Sequence, residues 1–125
     1  MRFWTRRTWM TLAAMAGFLS VAIGAFAAHG VSDPHAQDLL KTASQYAFMH
    51  AMATLACATL MQVGAERARH APAFFLAGVV LFSGSLYALA AGAPRILGAV
   101  TPFGGLSFLA GWAVVAWAAR GVDRA

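Results

Sequence analysis

From Pro72 to Ala93 the chain reads PAFFLAGVVLFSGSLYALAAGA, twenty-two residues without a charge. As a helix this stretch would rise about 33 Å, enough to cross a hydrocarbon core of about 30 Å. A water-soluble fold could not enclose it, because the whole chain has 125 residues, of which 61% are hydrophobic and 10% charged, leaving too little polar surface to cover the rest. The stretch therefore reads as a membrane span. Within it Gly78, Ser85 and Gly92 recur every seven residues, which on a regular helix puts small side chains on nearly one face, where a second helix can approach.

Three further spans emerge from the same reasoning. After the basic, aromatic start MRFWTRR, Thr8 to Ala28 carries no charge, and Ala13, Gly17, Ser20, Gly24 and Ala27 draw a small-residue stripe along it. His29-Gly30-Val31-Ser32-Asp33-Pro34 reads as a tight turn in which Gly30 ends one helix, Asp33 caps the next and Pro34 takes its first position. The chain then reads helical to about Val63, with a polar first third and a second span from about Tyr46 to Val63. Gly64 to Ala71 is a short basic linker, so the second and third spans are predicted to be antiparallel neighbours. Beyond Pro94 a connection too short to span leads to Thr101-Pro102, and a fourth span runs from about Pro102 to Ala119, with Gly104, Ser107, Gly111 and Ala118 as its small face. The expected architecture is all-α, an integral membrane four-helix antiparallel bundle forming one domain over residues 1–125.

The basic residues decide orientation and partners. Arg2, Arg6, Arg7, Arg67, Arg69, Arg120 and Arg124 fall on one side of such a bundle, and only Lys41 and Arg95 on the other. The positive-inside rule then places both termini and the middle linker in the cytoplasm. This placement also accounts for the net charge of +5 through the lipid bilayer, and leaves no reason to invoke nucleic acid. The single cysteine, Cys57, allows no internal disulfide and no cysteine-built metal site.

No charged residue lies inside any of the four spans, so the commonest mark of ion translocation is missing. His50 is the nearest substitute, one turn beyond Tyr46, with Gln45 nearby. A neutral imidazole at that depth needs a partner, and the hydroxyls of Ser83, Ser85 or Tyr87 are the expected ones. As a simple pin between helices His50 should tolerate replacement by alanine. His29 ends the first span on the same side, and two histidines on adjacent helices can ligate haem, although these two differ in depth by roughly 5 to 10 Å. Ser83-Gly84-Ser85 falls short of a glycine-flanked nucleophile motif. Phe75-Leu76-Ala77-Gly78 recurs as Phe108-Leu109-Ala110-Gly111, a short echo that inverted-repeat transporters would also show.

GAFAAHG at 24–30, Tyr46-x-x-x-His50-Ala51, LFSGSLYAL at 81–89, and TPFGG followed by Gly111-Trp112 together resemble the small four-helix membrane proteins of domain-of-unknown-function family 423. That family includes the bacterial YgdD-like proteins and mammalian transmembrane protein 256. The resemblance covers nearly the whole chain. It departs mildly at Ala27, where glycine is expected, and at Phe103, where isoleucine is commoner. It implies an integral protein of the bacterial inner membrane without an established activity.

The expected function is accordingly non-catalytic, with no cofactor and no metal. The protein is expected to act by helix packing, through Gly17, Gly24, Gly78, Gly92, Gly104 and Gly111, within a homo-oligomer or a larger membrane complex. Two alternatives use the polar residues instead. One is a small oligomeric transporter or carrier of an apolar or weakly basic ligand, working along Gln45, Tyr46, His50, Ser83 and Ser85. The other is a haem or quinone site at His29 and His50. The basic start and the Ala25-Phe26-Ala27 triplet also fit a cleaved signal peptide, but the apolar run exceeds the usual core of about 7 to 15 residues. Mass spectrometry of the membrane-extracted protein should therefore return the first span still attached; a mass lacking the residues up to Ala27 would make it a leader.

Overall fold

The computed structural model describes residues 3–123; Arg2 and Arg124, two of the seven arginines on the basic side, lie outside them. Helix α1 covers Arg6–Gly30 and α2 covers Pro34–Gln62. A 3-10 turn, Glu66–His70, runs into a third long helix in three parts: α3 over Ala71–Gly78, a π-helical turn over Val79–Ser83, and α4 over Gly84–Ala90. After a second 3-10 turn, Arg95–Ala99, α5 covers Thr101–Ala118 and a last 3-10 turn covers Ala119–Gly121. The fold is an all-α membrane bundle of four long helices, without a strand among the described residues.

Local chemistry sets the helix ends. Thr5 accepts the Thr8 N–H at 3.3 Å to start α1. Asp33 accepts from Ala36 N at 3.0 Å with Pro34 in the first turn of α2, as the turn sequence predicts. Gln37 donates to the Val31 carbonyl at 2.8 Å and fixes the link between the two helices. At the far end of the third helix, Gly92 adopts φ +101°, the left-handed conformation that ends a helix and that glycine adopts without strain. Nothing lies within 4 Å of the place its Cβ would take. The expectation that Gly92 packs against another helix is therefore corrected: it terminates the helix instead.

Three of the long helices, Arg6–Gly30, Glu66–Ala90 and Arg95–Gly121, are long and apolar enough to cross a membrane. The exception is α2, whose apolar run is diluted by Gln45, Tyr46, His50, Thr54 and Thr59. Its position compensates for this. It packs against α1 on one side and against α3, the π turn and α4 on the other, while α5 packs on α3 and the π turn. Its buried stripe of Ala43, Ser44, Ala47, His50, Ala51, Thr54, Cys57 and Ala58 faces protein, so His50 and Thr54 are enclosed, while Gln45, Tyr46 and Thr59 lie on its exposed side.

Side-chain size is inverted relative to a soluble protein. Alanines dominate the buried residues, among them Ala13, Ala27, Ala43, Ala47, Ala51, Ala68 and Ala71, while Phe18, Val80 and Leu109 are 74%, 69% and 66% exposed. Small residues inside let helix backbones come close, and large apolar ones outside meet lipid. Gly24 would set a Cβ 3.5 Å from that of Ser44, and Gly17 one 4.0 Å from that of Ala51, so α1 and α2 meet along the expected stripe.

The tightest contacts join the third helix to α5. A Cβ on Gly78 would run into the ring of Phe108, and a Cβ on Gly111 would run into the ring of Phe75. The two copies of Phe-Leu-Ala-Gly thus lie antiparallel, each phenylalanine seated on the other copy's glycine. One helical turn away, Gly104 faces the backbone N and Cα of Phe82, inside the π turn. Because the obstacle there is main chain rather than a movable side chain, Gly104→Ala should cost about 1–3 kcal/mol by overpacking. Gly105→Ala, with nothing within 4 Å, should not destabilise. Denaturant titration of the two purified variants in detergent measures the difference, and equal stability would contradict the contact.

Candidate functional site

The middle of the bundle holds a compact group of aromatic rings around one histidine. His50, from α2, is only 2% exposed. Its ring stacks on Phe108 of α5 with centroids 3.6 Å apart and planes 8° apart. Phe75 of α3 leans against it at 5.6 Å, and Tyr46 and Trp112 complete the surround at 6.2 and 6.0 Å. The Phe–Gly contacts hold Phe75 and Phe108 at the depth where they can enclose the imidazole.

Both ring nitrogens of His50 are engaged. Nδ1 lies 2.7 Å from the Tyr46 carbonyl, which can only accept, so Nδ1 carries the proton. Nε2 accepts from the indole N–H of Trp112 at 3.1 Å. One nitrogen donating and the other accepting defines a neutral imidazole of fixed tautomer; a second proton would point at the Trp112 N–H. The expectation that a third-span hydroxyl partners His50 is corrected. The partner comes from α5, because the hydroxyls are already committed elsewhere.

Ser83, fully buried, donates to the Ala43 carbonyl of α2 at 2.6 Å. Ser85 bonds Thr101 at the start of α5 at 2.6 Å and also donates to the Phe82 carbonyl at 2.9 Å. Tyr87 pairs with Ser44 at 2.9 Å. Ser107 of α5 donates to the Phe74 carbonyl of α3 at 2.7 Å, and Thr54 donates to the His50 carbonyl at 2.6 Å. Every fully buried side-chain nitrogen or oxygen among the described residues has a partner. The hydroxyls of Ser83, Ser85, Tyr87 and Ser107 therefore tie helices together rather than forming one strip with His50, while that of Thr54 bonds within α2.

Other sequence candidates lie apart. His29 is exposed on the last turn of α1, and Gln45 is exposed on α2. Neither has a contact with the rings around His50, and His50, unlike the exposed His29, has both ring nitrogens bonded within the chain. Tyr46 is 38% exposed and contributes its ring, 4.7 Å from that of Phe82, together with its carbonyl. The residues that sequence reasoning missed are Trp112, Phe108, Phe75, Ser44 and Thr101. The repeated Phe-Leu-Ala-Gly step was the signal for two of them, since a glycine three residues after a phenylalanine on each of two antiparallel helices permits this exchange. Trp112 stands in the Gly111-Trp112 step of the family resemblance, but nothing in the sequence marks it as the partner of His50. No group of three or more metal-ligating side chains occurs among the described residues.

The chain is similar to known proteins over most of its length. The family model described as "Protein of unknown function (DUF423)" matches residues 23–105, which contain every polar candidate from His29 to Tyr87. A UPF0382 membrane protein of Haemophilus influenzae is 41% identical over 90% of this chain and 93% of its own length. The UPF0382 inner membrane protein YgdD of Escherichia coli K12 is 43% identical over 89% of this chain and 88% of its own. A UPF0382 membrane protein of the yeast Schizosaccharomyces pombe is 38% identical over 83% and 94%. No solved structure matches. The chain belongs to this family of membrane proteins of unknown function, DUF423.

Proposed function

We propose that this protein is a non-catalytic packing or accessory subunit of the inner membrane, with both termini in the cytoplasm, acting as a homo-oligomer or within a larger membrane complex. The observation that carries this reading is that the polar interior is closed on itself. His50 has a partner at each nitrogen, and Ser44, Thr54, Ser83, Ser85 and Tyr87 each bond a neighbouring group. A transported or reacting molecule would have to displace bonds that hold the helices together. The inner-membrane name of the Escherichia coli relative and the arginines at one end of the helices support the location and orientation.

Gly78, Gly104 and Gly111 are filled from within the chain and so offer no assembly surface. The outer seam of α1 and α2 is a better candidate. There Ala13, Gly17 and Ala51 floor an apolar groove of about 540 Å³ whose walls include Phe18, Val21 and Phe48. In a Cys57→Ala background, Ala14→Cys and Ala22→Cys on this seam should crosslink in native membranes to a second copy or another membrane protein. Leu109→Cys, on the outer face of α5, should not. Recovery of monomer alone from all three variants would defeat the proposal.

The closed interior yields a second measurement. Trp112→Phe leaves Nε2 of His50 without its donor and should lower stability by about 1–3 kcal/mol. His50→Ala also removes the stacked ring and should be damaging rather than mild. A double-mutant cycle of His50→Leu with Trp112→Phe should show coupling of about 0.6–1.7 kcal/mol, the range for hydrogen bonds between membrane helices. Absence of coupling would leave His50 available to a ligand and favour the carrier or cofactor readings.

A further inference from the structure

At the arginine-rich end, the start of α1 and the connection from α2 to α3 enclose a cleft of about 510 Å³ lined by Trp4, Arg6, Trp9, Met61, Arg69, His70 and Ala73. We propose that this cleft binds the phosphate headgroup of an anionic phospholipid.

Its chemistry is one-sided. Two guanidinium groups and an imidazole line it without an acidic side chain. Each guanidinium carries a permanent charge and a fork of donors matched to phosphate oxygens. The two indoles divide their roles, since Trp9 is 3% exposed and forms part of the core, whereas Trp4 is 42% exposed at the rim. Tryptophan is favoured at headgroup level, where one end of the ring meets the apolar region and the other meets water. Met61 and Ala73 add apolar wall, which a free inorganic anion would not use and a glycerol backbone would.

Position gives the second argument. The cleft opens where α1 emerges beside the start of Glu66–Ala90, both helices apolar enough to span, so a lipid headgroup reaches it laterally from the bilayer. Basic pockets between spanning helices are where anionic headgroups are held. The neighbouring cation behaves differently: Arg67 lies over the ring of Trp117, 4.5 Å from its centroid, and contributes to a separate cleft. Arg6 of α1 and Arg69 of the linker instead line one and the same cleft, beside the point where Trp9 already packs α1 against Ala65, Ala68 and Ala71.

The test uses the full chain purified in mild detergent, with phosphatidylglycerol, phosphatidylcholine and inorganic phosphate as separate probes. Native mass spectrometry should show phosphatidylglycerol retained and phosphatidylcholine lost. Loss of each guanidinium should weaken retention roughly fivefold, so that Arg6→Gln with Arg69→Gln abolishes the preference, whereas Arg120→Gln leaves it intact. Equal retention of both lipids, or an undiminished preference in the double variant, overturns the proposal. Inorganic phosphate displacing the lipid at comparable concentration would assign the cleft to a soluble anion and also overturn it. Should the double variant misfold, the wild type decides. Raising salt from about 0.1 M to about 1 M shortens the screening length from about 10 Å to about 3 Å and should release phosphatidylglycerol; retention indifferent to salt would refute the site.

Discussion

An aromatic ring can lie flat against a neighbouring helix only where that helix offers no side chain, and this bundle uses the rule twice in opposite directions. Phe75 covers Gly111 and Phe108 covers Gly78, so the third helix and α5 are locked by two contacts that depend on each other. If the helices slid by one turn, Phe75 would face Ser107 or Val115 and Phe108 would face Phe74 or Phe82 in place of the glycines. Packing without a hydrophobic driving force between helices needs steric fit of this kind, because lipid tails satisfy apolar surface as well as protein does. The antiparallel direction, the register and the depth of the two rings are set together.

The polar centre depends on that lock. With Phe108 held at its depth, its ring lies parallel to His50 at 3.6 Å, and Trp112, one turn further along α5, brings its N–H to Nε2. Helix α2 is thereby tied to α5 through long side chains. On the other side Ser83 reaches the Ala43 carbonyl from the end of the π turn. A π turn inserted in an α-helix changes the register of the segment that follows it. Here the widened turn presses the Phe82 backbone against Gly104, so the irregularity is matched by a residue without a side chain.

Much of the frame was legible because it is written in composition and period. Charge-free stretches located α1, the third helix and α5. Thr5 was not foreseen as a cap, but the Asp33-Pro34 start of α2 was, since capping chemistry is local. The stripe of Ala13, Gly17, Ser20, Gly24 and Ala27 pointed to a packed face. What failed depended on three dimensions. The seven-residue spacing of Gly78, Ser85 and Gly92 assumed a regular helix, and the π turn breaks that register. Gly92 looks like a packing residue in the sequence and is a terminator in space. The hydroxyls of Ser83, Ser85 and Tyr87 were legible as buried donors, yet not their partners, because a backbone carbonyl such as that of Ala43 has no signature in the sequence. The repeated Phe-Leu-Ala-Gly step could be dismissed as coincidence until the two copies were seen to interlock.

The same internal use of small residues limits how the protein can associate. Helices meet closely in lipid where at least one of them is smooth. With Gly78, Gly104 and Gly111 covered from within, the outer faces of the third helix and α5 present Val80, Phe103, Leu106 and Leu109, all well exposed. Against those faces a partner would meet mainly these large side chains, with small residues such as Gly105 and Ala113 between them. The seam of α1 and α2 is different, because Ala14 and Ala22 stand exposed beside a groove floored by Ala13, Gly17 and Ala51. A second copy could dock there by offering its own Phe18 or Phe48 as the knob, the mode of contact that the third helix and α5 already use inside the chain. A self-complementary seam carrying both knobs and groove is what a two-fold interface requires, and it needs no polar group, in keeping with an interior whose hydrogen bonds are already closed.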